Sequence, residues 1–194
     1  MARVAVFIAS PAEIKKDMIP AIIGSNEITI CYTGLGKVRA AVAAYENLSA
    51  RPYDLAINLG TCGSHSIAIG EVVEVRAFVE RDVDLSAVGI VPGFFPGAEG
   101  RITAYKNFFD ELPNVVCGSG DCINLRPPKV DCDVYDMEAF ALAFVCKKFS
   151  VPLVALKVVS DASDESSGSD WKKNLAHAQE HLISRLHKIL NNFP

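Results

Sequence analysis

The hydrophobic positions of this chain fall in short, nearly unbroken runs separated by segments with helical spacing. The runs predict strands at Arg3 to Ala9, Ile28 to Thr33, Asp54 to Leu59, Glu71 to Val79, Val115 to Gly118 and Leu153 to Ser160. Apolar residues recurring every three to four positions predict helices at Pro11 to Ile19, Lys37 to Ala50, Ala104 to Leu112, Asp136 to Phe149 and Asp170 to Asn191. This alternation is the signature of an α/β layer architecture. The strands around positions 55 and 155 are apolar on both alternating faces, which predicts a sheet covered on both sides.

The segment from Ala87 to Gly100 breaks the pattern. It gathers Gly89, Pro92, Gly93, Pro96, Gly97 and Gly100 around Phe94 and Phe95, and it reads as a loop whose aromatic pair serves as a ligand lid, an oligomer contact or simple packing. With 194 residues the chain is of a size that buries one core, so residues 1–194 are expected to form a single domain. The net charge of −4 is dispersed, and no basic run is interleaved with aromatics. Nucleic acid is therefore not an expected partner, and a small molecule is. The apolar run Val4 to Ala9 is too short for a leader core or a spanning helix, so no membrane association and a cytoplasmic location are expected. The six cysteines form no C-x-x-C pair and read as reduced thiols.

Three acidic residues stand in apolar surroundings. Glu138 opens the helix that continues AFALAFVCKKF, which is apolar almost all round; its carboxylate either complements the helix dipole or anchors a ligand through hydroxyl groups. Asp161 follows the strand LVALKVVS, at the kind of strand end where open α/β sheets bind ligands, though an Asx turn or helix cap would also place an aspartate there. Glu13 follows the first strand, where Pro11 is suited to a first helical turn. Several motifs fail. GLGK at 34–37 lacks the remaining positions of both the phosphate loop and the dinucleotide fingerprint. His177-Ala-Gln-Glu-His181 matches H-x-x-E-H, but only His187 follows as a third ligand, so no metal and no cofactor are expected.

Taken together, GLGKVRAA, INLGTCGSHSIAIGEVVEV, CGSGDCIN and YDMEAFALAFVCKKFSVPLVALKVVSDASD resemble the purine nucleoside phosphorylase superfamily, and most of all its methylthioadenosine/S-adenosylhomocysteine nucleosidase branch. The resemblance implies a three-layer αβα domain with a central mixed, twisted sheet. It also implies that Met137 packs under a ribose whose hydroxyls bond to Glu138. Asp161, after Ser160, would protonate the imidazole-ring nitrogen of a departing purine, and Glu13 would activate water. The turn Thr61-Cys62-Gly63 would contact sugar and purine, Cys122-Ile123 would border the base, and Trp171 would face the substituent on the 5′ carbon.

That assignment suits the chemistry of the N-glycosidic bond, whose cleavage makes the sugar cationic and the base anionic. Phosphorylases of the superfamily usually carry an arginine in the segment matching INLGTCG, where this chain has Asn58, and basic groups near Glu13. A carboxylate there repels phosphate and favours hydrolysis. The resemblance thus implies hydrolysis of 5′-substituted adenosines to free adenine. Cys122, standing where relatives often carry an aromatic, and the shortened 87–115 region also suit futalosine-type substrates of menaquinone synthesis. The resemblance further implies a homodimer, with Phe94 and Phe95 as contact candidates.

Overall fold

The computed structural model describes residues 1–98 and 100–193. Among these, nine strands and three α-helices follow in the order β1 (Arg3–Ile8), β2 (Ile22–Ile23), β3 (Asn26–Tyr32), α1 (Lys37–Ala50), β4 (Leu55–Gly63), β5 (Val72–Glu80), β6 (Arg101–Thr103), β7 (Asn114–Ser119), β8 (Val134–Asp136), α2 (Ala139–Lys148), β9 (Leu153–Asp161) and α3 (Ser167–Asn192). Short 3₁₀ turns occur at Lys16–Met18 and Ser86–Val88.

The strands form one mixed sheet in the order β2-β3-β1-β4-β8-β7-β5-β6, and β9 pairs with both β4 and β5. The pairing β4–β9–β5–β7–β8 returns to β4 through a bridge between Gly63 and Tyr135, so five strands close into a ring. Period-2 alternation sends the two faces of each central strand into different cores. Val4, Val6, Leu55, Ile57, Leu156 and Val158 pack on the side of α3, whereas Ala5, Phe7, Ala56, Ala155 and Val159 pack on the side of α1 and α2. The result is the three-layer α/β architecture expected from the apolar strands.

Two expected helices do not form, and in both cases side chains capture the backbone groups that a helix would use. Between Pro11 and Ile19 only the 3₁₀ turn appears, because the carbonyl of Ile14 accepts a hydrogen bond from Tyr32 Oη at 2.8 Å and that of Ala12 accepts one from Gln179 at 3.1 Å. Glu13 therefore lies in a turn, not in a first helical turn. Between Ala104 and Leu112 the buried carboxylate of Glu74 accepts the N–H groups of Phe108 and Phe109 at 2.8 and 3.1 Å. Burial pushes the Glu74 carboxyl above its ordinary range, and those two N–H groups oppose it. The helix expected from Asp136 starts only at Ala139, since Asp136 ends β8.

β9 carries one charged residue in its apolar run, Lys157, and it is 2% exposed. Its Nζ lies 2.8 Å from Asp136 Oδ2, and both side chains are almost wholly buried. Asp136 is held further by the Ser119 hydroxyl at 2.5 Å and the Ala139 N–H at 3.0 Å. Burial disfavours both charges, yet the pair holds Asp136 below the usual carboxylate range, and neighbouring carboxylates, Asp136 foremost, hold Lys157 above the usual lysine range. Breaking such a pair leaves an uncompensated buried charge. We therefore expect Lys157→Met to lower unfolding free energy by about 3–5 kcal/mol. A chemical-denaturation midpoint unchanged from the parent would contradict this.

Candidate active site

Five strand ends and the start of α3 contribute to one cavity of about 320 Å³. The turn after β1 brings Glu13, the end of β4 brings Thr61, Cys62 and Gly63, and the end of β9 brings Ser160 and Asp161. The β8–α2 junction supplies Met137 and Glu138, the loop after β7 supplies Cys122 and Ile123, and the start of α3 supplies Trp171. Every residue expected at the site from the sequence thus borders the same cavity.

Glu13 is 8% exposed. Its Oε1 accepts two hydrogen bonds from Thr61, from the backbone N–H at 2.9 Å and from the hydroxyl at 2.8 Å. Its Oε2 is buried and has no protein partner. This carboxylate is consequently fixed through one oxygen and unpartnered at the other.

Glu138 caps no part of its own helix. It stands at the N-cap position of α2, but its Oε1 accepts the N–H of Gly36, the N-cap residue before α1, at 2.9 Å. Gly36 adopts φ 94°, which glycine takes without strain, so the GLGK turn offers its amide to a carboxylate where a phosphate loop would offer it to phosphate. The next amide, that of Lys37, donates to Asp121 at 2.7 Å, and the Lys37 ammonium pairs with Glu80 and Asp82. Burial, then the charge of Asp136, push the Glu138 carboxyl up to about 7, against the opposing effects of Lys157 and the Gly36 amide.

Asp161 accepts from the Ser160 hydroxyl at 2.8 Å and from the Ser163 N–H at 3.0 Å. The Ser160 hydroxyl also lies 3.2 Å from the Cys62 carbonyl. Gly63 makes room for this turn: a Cβ there would stand 2.7 Å from Asp161 Oδ1 and collide with Ser163. The register shift between Cys62 and Gly63 accompanies the same crowding.

Some expectations change. Asn58 lies inside β4, donates to the Phe7 carbonyl at 3.1 Å and does not border the cavity, so it carries no information about phosphate. Phe94 and Phe95 are about half exposed and lie outside the cavity lining. Trp171 borders the cavity, and its indole N–H also donates to Thr61 Oγ1 at 3.0 Å. Residues that sequence reasoning passed over include Asp136, Asn124 and Arg81. The Arg81 guanidinium donates to the carbonyls of Gly118, Gly120, Cys122 and Asp136, and so pins the loop after β7. All six cysteines are unpaired, and among the described residues no three potential metal-binding side chains cluster.

Comparison with known proteins agrees with this architecture. The family model of the phosphorylase superfamily matches residues 15–114 and 121–191. The 5′-methylthioadenosine/S-adenosylhomocysteine nucleosidase of Anoxybacillus flavithermus is 28% identical over 190 residues, covering 87% of this chain and 82% of the relative. The enzyme of the same name from Baumannia cicadellinicola is 29% identical over 178 residues, covering 81% and 78%. The crystal structure of the Helicobacter pylori nucleosidase of that name superposes with a TM-score of 0.88 at 22% identity over 100% of this chain and 99% of that one. A futalosine hydrolase structure from the same organism reaches 0.88 at 21% identity over the whole of both chains. With its family model matched over most of its length, and with the architecture and strand-end cavity described above, this chain belongs to the phosphorylase superfamily.

Proposed function

We propose that this protein is a purine nucleosidase that hydrolyses the N-glycosidic bond of 5′-substituted adenosines, of which methylthioadenosine and S-adenosylhomocysteine are the first candidates. The observation that carries this reading is Glu13, buried at the cavity with Oε2 unpartnered. A carboxylate oxygen in that position takes a proton from water and repels phosphate. The names of the curated relatives point the same way. We read residues 1–194 as one such domain.

Each group then has a distinct task. Glu138 accepts hydrogen bonds from the ribose hydroxyls, and its negative charge stabilises the developing sugar cation. Met137 packs beneath the ribose. Asp161 gives a proton to the imidazole-ring nitrogen of the leaving purine, and the Ser160 hydroxyl, which donates to Asp161 Oδ2 at 2.8 Å, steadies the carboxylate that results. Thr61, Cys62 and Gly63 flank sugar and base, Cys122 and Ile123 border the base, and Trp171 faces the 5′ substituent. Glu13 orients water on the other face of the sugar, as the second carboxylate of an inverting glycosidase does.

A futalosine-type substrate is the second reading. It is favoured by Cys122, a small side chain exposed at the cavity wall, beside Ile123 at 65% exposure. A homodimer is part of the proposal as well. Val38, Val42 and Tyr45 recur at helical spacing along α1 and are all more than half exposed, a stripe that suits a second copy of the chain. The six unpaired cysteines favour the cytoplasm, and among the described residues no helix is long and apolar enough to cross a membrane.

Incubation with methylthioadenosine, S-adenosylhomocysteine and aminodeoxyfutalosine is expected to release free adenine without phosphate; strict dependence on phosphate, with a sugar phosphate as product, would defeat the hydrolytic reading. Glu13→Gln and Asp161→Asn should each lower kcat by about 10²–10⁴ while substrate binding persists. Because kcat/KM reports ionisation in the free enzyme, it should rise with pH as Glu138 ionises near 7. Glu138→Gln should remove that limb from the profile, and a limb that survives belongs to another group. Analytical ultracentrifugation at micromolar concentration should show a dimer that Val42→Glu converts to monomer.

A further inference from the structure

Trp171 does more in this geometry than border the cavity. Its indole N–H donates to Thr61 Oγ1 at 3.0 Å, and that same oxygen lies 2.8 Å from Glu13 Oε1. A threonine hydroxyl has one proton. Since the indole can only donate, the hydroxyl must accept from Trp171 and direct its own proton to Glu13. Oε1 is then saturated by the Thr61 hydroxyl and the Thr61 N–H, which comes in at 2.9 Å. Oε2 is left as the one carboxylate oxygen without a protein donor. Without the indole, the hydroxyl is free to rotate toward the cavity, and Glu13 loses one of the two bonds that set its orientation.

Resting on the nucleosidase reading above, we propose that Trp171 is a positioning residue for the water-activating carboxylate. Its indole N–H polarises the Thr61 hydroxyl toward Glu13 Oε1 and so commits Oε2 to the attacking water. The chain of contacts joins the start of α3 to the turn after β1, 158 positions apart by number (171 less 13). A substrate group resting on the indole therefore bears on the carboxylate that activates water, and its fit is expressed in kcat as well as in KM.

Phe at position 171 keeps the ring and removes the donor. Trp171→Phe is expected to lower kcat about tenfold, a fraction of what a general base supplies, with KM changed less than about threefold. Thr61→Val should lower kcat at least as much. The double variant should match Thr61→Val alone within about twofold, because both changes act on one contact chain. Multiplicative losses in the double variant, or a loss confined to KM, would overturn the proposal. Trp171 is the sole tryptophan, so its indole N–H gives one resonance in a ¹H–¹⁵N spectrum. Thr61→Val should move that resonance upfield in the unliganded protein, and an unmoved resonance refutes the hydrogen-bond relay. This readout requires no turnover. If the parent released no base from any nucleoside, the nucleosidase reading would fall, while the spectrum would still decide whether Trp171 orders the Thr61 hydroxyl.

Discussion

The buried ion pair between Lys157 and Asp136 is the constraint on which the site depends. The cavity and the strands beneath it gather more carboxylates than an apolar interior tolerates. Glu13, Asp136 and Glu138 all influence one lysine that has no access to water. A single ammonium compensates only part of this charge, and backbone amides and hydroxyls supply the rest. Gly36 donates to Glu138, Thr61 to Glu13 and Ser119 to Asp136. The shortfall falls on Glu138, whose carboxyl titrates near neutrality, whereas Asp136 remains firmly ionised. Lys157 thereby divides the acidic residues into a structural one, locked in its ion pair, and others that border the cavity without a cation of their own.

Close approach of backbone is the second requirement. Gly60 lets Glu13 and Lys157 come near the same point, since a Cβ there would stand 3.3 Å from each. Gly63 admits Asp161 and Ser163 at the shifted register of β4 and β9. Two glycines on one strand thus set how tightly acid groups from distant segments gather. A side chain at position 63 would force Asp161 and Ser163 aside, whereas one at position 60 would crowd Glu13 and Lys157 by a few tenths of an ångström.

Much of this was legible in the sequence where local pattern and tertiary environment agree. α1 runs from Lys37 to Ala50 as its periodicity predicts, and the central strands begin and end within a few residues of their apolar runs. Prediction failed where distant side chains override local preference. Tyr32 and Gln179 claim the carbonyls after β1, and Glu74 claims the amides before β7. The three-residue β8 has too little length to announce itself. Glu13, Glu138 and Asp161 each carried a bland alternative, and only their resemblance to one family singled them out. Lys157 carries a readable signal of its own: a lone lysine in a strand apolar on both faces requires a buried carboxylate partner. Nothing local marks Arg81 or the indole contact of Trp171, because both depend on residues tens of positions away.

The closed ring of strands has a consequence for how the protein comes into being. β4 meets its parallel partner β9 only after some ninety further residues have been made, and the cavity draws on positions from Glu13 to Trp171. Pairings of such long range are slow to find in folding. A nascent chain emerging from the ribosome accordingly holds Glu13 apart from Asp136 and Glu138 for most of synthesis. Their mutual repulsion and their relief by Lys157 arise together, in the last stage of assembly.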